Sequence, residues 1–395
     1  IIDLTAGSNC TVGAIGQLVI TIKDDDLPPV VRFTATTSAG TEGDPTTTVE
    51  VTLTPASGKV VIVPYTINGN SSTTNEGASA DHNLAPGDIT IAVGSTTGNF
   101  TFDILQDGIY EKEDTLIIDL EETLEDPVGE KLADLGLASF VKHLFYITNA
   151  DNAPSVAFFD ADTFVTETNA DFNASFRVQL SALSDVDAKV YIDDGGVGTA
   201  TADADYTLAT TEVTVLAGQT TGTFDISIKG DETDEDPQTF TISLTLPVTD
   251  VSLGVQTTQL VTIIDNDDPP TISIDASSTT NINESVVSAS FIFSLDLASE
   301  KDVRIGYAVD ATATTSATLG QDYSGLAASG TITMQAGTTD TTFTVTIIGD
   351  VVDEENQTIT LDLSSGTENN VSMSNQFNSH TITILDDDDG PEVYF

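Results

Sequence analysis

Tryptophan is absent from this 395-residue chain, and cysteine occurs once, at Cys10. A single thiol excludes any disulfide within the chain, so stability rests on apolar cores, with metal as the other available source. Cys10 itself reads as a small buried apolar residue. Basic residues are scarce as well: 11 Lys and Arg face 63 Asp and Glu, a formal charge of -52. Such a polyanion repels nucleic acid and anionic membrane surfaces, which excludes both as partners. No run of about 18 apolar residues exists to cross a membrane, and Ile1 to Leu4 carry neither the basic nor the apolar region of a signal peptide. Targeting information is therefore expected outside this segment. Histidine is limited to His82, His143 and His380, which fall in different parts of the chain, so no recurring zinc or catalytic histidine site is expected. There is no Gly-x-Ser-x-Gly, no phosphate-binding Gly-Lys loop and no Cys-x2-Cys. Without tryptophan a sugar platform is also missing, and the chain reads as no enzyme.

What is present is a folding chain. Apolar residues make up 39% of it, too many for a disordered acidic tail. Its length corresponds to two to four domains of roughly 100 to 200 residues. Self-comparison resolves the number. A Phe-containing alternating strand runs into an acidic loop at Asn99-Phe-Thr-Phe-Asp-Ile-Leu-Gln-Asp107, at Gly222-Thr-Phe-Asp-Ile-Ser-Ile-Lys-Gly-Asp231 and at Thr341-Thr-Phe-Thr-Val-Thr-Ile-Ile-Gly-Asp350. Acidic junctions ending in Pro or Gly-Pro recur at 22–29, 147–154, 263–270 and 384–391. A Glu follows each opening strand, at Glu42, Glu167 and Glu284, and an Asp-aromatic pair sits mid-repeat at Asp81-His82, Asp205-Tyr206 and Asp322-Tyr323. Repeats are therefore expected at 27–151, 152–268 and 269–389. Residues 1–26 read as the end of a preceding repeat, and 390–395 as the start of another. A period above 100 residues marks whole domains in tandem.

Period-two alternation at Ala174, Phe176, Val178 and Leu180, and again at Phe240, Ile242, Leu244 and Leu246, predicts strands with one buried face. About seven such strands per repeat, rich in Thr and Val, predict an all-β architecture: tandem immunoglobulin-like antiparallel sandwiches in an elongated array. The segment from Glu130 to Phe140 has near-helical apolar spacing and predicts a turn or two of helix.

Four acidic elements recur in order. In the third repeat they are Glu284, Asp322, the loop Asp350 to Glu355 and the run Asp386 to Asp389; in the second, Glu167, Asp205, the loop Asp231 to Asp236, and Asp265, Asp267 and Asp268. Loops at one pole of a sandwich can converge, and crowded carboxylates call for a hard divalent cation with six to eight oxygen ligands, which is calcium. The alternative reading of any one such loop is a solvated surface.

The Glu after the first strand, the Asp-Tyr pair, the Asp-x3-Glu loop and the terminal Asp run together resemble the Calx-β domain, a family found in sodium/calcium exchangers, in animal matrix proteins and in very large bacterial adhesins. The resemblance implies calcium ligands at Glu167, Asp205, Asp231, Glu235, Asp265 and Asp267, and at Glu284, Asp322, Asp350, Glu354, Asp386, Asp387 and Asp388. In the first repeat it implies Glu42, Asp81, Asp107, Glu111, Asp114 and Asp151, and in the partial repeat the run Asp24, Asp25 and Asp26. The chain departs from the family pattern at Gln238 and Gln357, where the first repeat has Asp114, and at Lys112, which enters the first loop. The first site is expected to be the weakest. Three functions stay open: a calcium-stiffened stalk or spacer of a secreted or cell-surface adhesin, where the lack of disulfides fits a bacterial surface at least as well as a cytosolic protein and an animal ectodomain less well; a calcium sensor; or direct binding of another surface or matrix molecule, with Glu121 to Leu144 as the candidate face. Partners on the first reading are calcium ions and the neighbouring repeats.

Overall fold

The computed structural model describes residues 2–15, 17–23, 25–74, 80–124, 129–246, 251–312 and 316–393. The chain divides into two compact units, Ile1–Pro154 with Ala182–Val186, and Ser155–Ser181 with Asp187–Phe395.

The second and third repeats share one design. In the second, one sheet runs in the order Tyr206–Thr207, Thr221–Ile228, Phe172–Leu180, Ser155–Phe158 and Ser252–Leu253. Its mate runs Asp162–Thr166, Thr258–Ile264, Gln238–Thr245, Ala188–Gly198 and Glu212–Val215. The third repeats both orders with Tyr323–Ser324, Asp340–Ile347, Ser288–Leu295, Thr271–Ile274 and Ser372–Met373, and with Asn281–Asn283, Ser379–Leu385, Gln357–Asn369, Val303–Asp310 and Ser329–Met334. Eight strands of four or more residues carry the second sandwich, and two-residue strands extend its edges, where alternation alone predicts about seven. The alternating residues form its core: Phe176, Val178, Phe224, Ile226, Phe240 and Ile242 are buried between the sheets. Phe291, Phe293, Ile305 and Leu361 do the same in the third repeat. The chain is an all-β array of tandem immunoglobulin-like sandwiches, as patterning requires when one face of every strand must leave water.

The first repeat has a four-stranded sheet, Asp134–Leu135, Val30–Phe33, Thr47–Thr54 and Thr97–Phe102, against a five-stranded one, Thr37–Thr41, Lys142–Thr148, Asp114–Leu120, Val61–Ile67 and Gly87–Ile91. Its missing edge strand is reduced to the bridge between His82 and Ile104.

Two edges depart from the expected antiparallel pairing, and one of them builds the site. In each repeat the strand before the opening Glu pairs parallel with the last strand: Thr37–Thr41 with Leu144–Thr148, Asp162–Thr166 with Leu260–Ile264, and Asn281–Asn283 with Thr383–Leu385. Parallel strands exit at the same end, so the opening Glu and the terminal acidic run leave at one pole.

The helix expected over Glu130 to Phe140 does not form. The segment instead supplies Asp134–Leu135, paired parallel with Val30–Val31, and a single 3-10 turn at Ala138–Phe140. Pairing to an open sheet edge outweighs a weak local preference. Ser252–Leu253 and Ser372–Met373 take the same edge in the other repeats, so this pairing is common architecture; residues 125–128 of the candidate binding face lie outside the described residues. Cys10 is exposed, contrary to expectation. Within 2–23 only Ile2–Asp3 and Gln17–Leu18 pair, and every described residue there is exposed, so no core exists to bury a thiol. No helix among the described residues is long and apolar enough to cross a membrane.

Candidate metal centres

Backbone hydrogen bonds fix the position of each opening Glu. The amides of Glu42, Glu167 and Glu284 donate to Thr148, Ile264 and Leu385, the last residues of the paired strands, at 3.1, 3.0 and 3.0 Å. The mid-repeat Asp is placed by the opposite sheet: the carbonyls of Asp81, Asp205 and Asp322 accept from Leu105, Lys229 and Ile348, each 2.9 Å away, just before the acidic loop begins. The aromatic partner anchors it, since His82, Tyr206 and Tyr323 are all buried.

Close backbone approach then brings loop and Glu together. A Cβ on Gly230 would lie 1.6 Å from the Thr168 carbonyl, and one on Gly349 would lie 2.7 Å from that of Glu284. Only glycine fits there. The first repeat has Gln106 at this position and moves the glycine to the facing side, at Gly43 with φ +79°, whose Cβ position is 3.4 Å from Gln106 Oε1.

All four acidic elements therefore converge in each repeat. In the first, ligand oxygens of Asp81, Asp107 and Glu111 lie within 4.8 Å of one another. Glu42 faces Asp151, Asp107 and Asp81, while Asp114 faces Asp81 and Glu111. In the second, Glu167, Asp265 and Asp267 lie within 4.8 Å. Asp231 and Glu235 face Glu167, and Asp205 faces Glu235. In the third, Glu284, Asp386 and Asp388 form the 4.8 Å group, with Asp387 facing Glu284, and Asp350 and Asp322 facing Glu354. Asp25 and Asp26 are exposed and stand outside these clusters. Asp24 lies outside the described residues.

Burial first pushes these groups toward the protonated form, followed by like charge at Glu111 and Glu235 and by the neighbouring carboxyls of Asp265 and Asp388 at Glu167 and Glu284: Glu111 and Glu167 to about 8, and Glu235 and Glu284 to about 7. Glu42, Asp81 and Asp267 are raised for the same reasons. Several oxygens are buried with no hydrogen-bond donor: Asp107 Oδ2 and Asp151 Oδ2, Asp267 Oδ2, and Glu284 Oε1, Asp386 Oδ1 and Asp388 Oδ2. Orphaned anionic acceptors at one pole suit a hard divalent cation and nothing apolar.

Sequence reasoning did not single out three residues at these poles. Asp185 faces Glu111 and Asp107 in the first unit, and Glu300 faces Glu235. Lys301 reaches Asp234 and Asp265. None carries a local signal, because each sits in a turn of the following repeat. Gln238 and Gln357, read as lost ligands, have a second role: their Nε2 groups donate to Glu235 Oε2 and Glu354 Oε2 at 2.8 and 2.6 Å. The charge of Lys112 acts on Asp185. Two histidines share one position on the last strand: His143 bonds Ser38 Oγ at 2.7 Å and the Ala35 carbonyl at 2.8 Å, and His380 bonds the Thr279 carbonyl at 2.9 Å. They tie neighbouring segments together, away from the acidic poles.

The sequence matches the Calx-beta domain family over residues 24–138, 149–267 and 265–388. No curated protein matches it. Among solved structures, CBD12 from CALX1.2 aligns at 18% identity over 58% of this chain and 99% of its own, with a TM-score of 0.28. The calcium binding domain CBD12 of CALX1.1 aligns at 18% over 57% and 98%, with a TM-score of 0.27. The human desmocollin-1 ectodomain aligns at 10% over 93% and 60%, with a TM-score of 0.23.

Proposed function

Because the chain belongs to the Calx-beta domain family, in three consecutive copies, we propose that it is a calcium-binding, calcium-stiffened repeat segment, a stalk or spacer of a larger secreted or cell-surface adhesin. The observation that carries this reading is the set of buried carboxylate oxygens without donors, present at the same pole of every repeat. An unpaired buried anion costs several kcal/mol, and a bound cation removes that cost while keeping the carboxylates ionised.

The ligands in each repeat are the opening Glu, the mid-repeat Asp, the loop Asp and Glu, and the terminal run. Calcium, when bound, supplies positive charge and tolerates the irregular geometry of loop oxygens. The chain's own contribution is placement. Asp265 Oδ2 accepts from the Glu235 amide at 2.9 Å and its Oδ1 from the Asp267 amide at 3.0 Å, so the terminal run is folded back against the loop before any ion arrives. Asn149 does the same in the first repeat, bonding the Glu111 carbonyl at 2.8 Å and the Asp151 amide at 2.6 Å. Because the run continues into the linker, tying it down limits bending of that linker. Pro269 and Pro270 stiffen it further by fixing φ.

The chain is read as non-catalytic, since His143 and His380 tie neighbouring segments together and His82 bonds Thr73 and the Leu84 amide of its own turn. A cell-surface, extracellular setting, in bacteria, fits one thiol and no disulfide. Calcium titration by calorimetry with small-angle scattering tests the reading. Binding near 10⁻⁴ to 10⁻³ M with a stiffer particle supports a stalk, whereas binding near 10⁻⁷ to 10⁻⁵ M points to a sensor. No binding, or no change in particle dimensions, removes the stiffening role.

A further inference from the structure

Within the second unit, the acidic loop of the second repeat is held by a turn of the third. Asp234 and Ser299 form a parallel bridge, and the Glu300 amide donates to the Asp234 carbonyl at 3.1 Å. The Ser299 hydroxyl lies 3.1 Å from that carbonyl and 3.0 Å from Asp234 Oδ2. Lys301 Nζ donates to Asp234 Oδ1 at 2.7 Å, and also lies 3.8 Å from Asp265 Oδ2 and 4.0 Å from Asp236 Oδ1. Asp234 is 3% exposed and Ser299 2%. A buried carboxylate with a lysine and a hydroxyl on it is a satisfied pair, and breaking one partner leaves the other stranded.

The turn that presents Lys301 is shared by all three repeats. Ser57, Ser184 and Ser299 each accept, through the hydroxyl, from the amide two residues on, at 3.0, 3.1 and 3.1 Å. The residue so placed is Lys59, Val186 or Lys301. The same bridge recurs in the first unit, where Tyr110 pairs with Ser184 and its carbonyl accepts from Asp185 at 3.0 Å. There Tyr110 stands in the place of Asp234 and Val186 in the place of Lys301. Acid and base are replaced together by two uncharged residues, so neither joint leaves one charge of the pair without the other.

We propose that the serine turn at Ser184 and Ser299 is a docking element for the acidic loop of the preceding repeat, and that Lys301 is a built-in cation which keeps the second and third repeats docked when no calcium is present. The lysine answers a carboxylate outside the implied ligand set, Asp234, and its edge position on Asp265 couples the joint to the second repeat's pole. This does not rest on the calcium reading, because the clamp acts in chelator.

The test is limited proteolysis of the full chain in EGTA, with a serine protease that cuts after acidic residues, mapping cuts in the 265–270 linker by mass spectrometry. K301M is expected to raise the rate of cutting there about tenfold, and K301R to leave it unchanged. The double variant D234Y/K301V, which installs the first unit's pair, is expected to be cut more slowly than K301M. Cutting of K301M at the rate of the unaltered chain overturns the clamp, as does a D234Y/K301V chain cut as fast as K301M. Should K301M not fold, D234N gives the same reading from the other partner. A chain that shows the clamp but binds no calcium would sink the proposed function and leave this inference standing.

Discussion

The first and third repeats use one template and gather charge in different halves of it. In the first, the close group is Asp81, Asp107 and Glu111, from the mid-repeat turn and the loop, with Asp81 and Glu111 buried. In the third it is Glu284, Asp386 and Asp388, from the opening strand and the terminal run, all partly exposed. Two positions separate them. Asp114 adds a charge that bears on Asp81 and Glu111, whereas Gln357 neutralises the same spot and donates to Glu354. In the terminal run the first repeat has the neutral Asn149 where the third has Asp386, so the loop half gathers charge in one and the terminal half in the other.

The largest expected effect is that of chelation. A bound ion at 100 times its dissociation constant stabilises the fold by about 2.7 kcal/mol per site. EGTA should therefore lower the melting temperature, measured by scanning calorimetry, and the first repeat's transition should move least because its site is the one expected to bind calcium most weakly. Equal shifts in all transitions would break the comparison. Next in size are Glu111→Gln and Glu354→Gln. Glu111 is buried and raised to about 8, so its neutral replacement should stabilise the calcium-free chain while weakening calcium at the first site about tenfold or more. Glu354 is exposed, and E354Q should change calcium-free stability little. Titration calorimetry of both variants separates the outcomes, and a larger effect at Glu354 would reverse the assignment.

The pH dependence is smaller but has a definite sign. Glu111 and Glu167 hold protons to about 8, and Glu235 and Glu284 to about 7, whereas in the unfolded chain they release them near 4.5. Their contribution to calcium-free stability is complete below 4.5 and is lost as pH rises through 7 to 8. Melting temperature in EGTA should fall between pH 5.5 and 8.5, and saturating calcium should abolish the fall. His82 acts in the other direction: burial lowers it to about 4, so stability is lost as pH drops from 6.5 through 4. Tyrosine occupies the same place in the other repeats, and H82Y should reduce the acid-side loss of the first repeat alone, leaving the part due to His143, which burial also lowers. A first repeat that stays as acid-sensitive with Tyr at 82 would exclude this histidine as the cause.

The fold was legible because burial between two sheets imposes period two on every strand, as at Phe176, Val178 and Leu180. The repeated acids were legible because they flank those strands in a constant order. The parallel edge that aligns Thr166 with Ile264 was not, since pairing partners a hundred residues apart leave no local trace. The same cause hid the strand at Asp134–Leu135 behind a helical spacing. Lys301, Glu300 and Asp185 were hidden more deeply: each reads as an ordinary turn residue until the preceding repeat's loop is placed against it. Sequence comparison among the repeats could have found the Asp234 and Lys301 pair, through the joint change to Tyr110 and Val186.

The smallest and most discriminating change exchanges the residues at position 114 and its counterpart. Gln357→Asp removes the donor from Glu354 Oε2 and adds a carboxylate to the loop half of the third repeat, while Asp114→Gln does the reverse in the first. Ligand charge tunes calcium affinity, so a several-fold gain at the third repeat and a several-fold loss at the first are expected by titration calorimetry. The direction in EGTA is opposite, because the added carboxylate of Q357D meets Asp322, Asp350 and Asp386 around Glu354 without a counter-ion, and that repeat should melt earlier. If Q357D instead tightened calcium and stabilised the calcium-free repeat together, the glutamine would be a defect in the third site. If it did neither, position 114 would not be what separates the two halves, and the difference between the repeats would lie in the terminal run, Asn149 against Asp386, and in their burial.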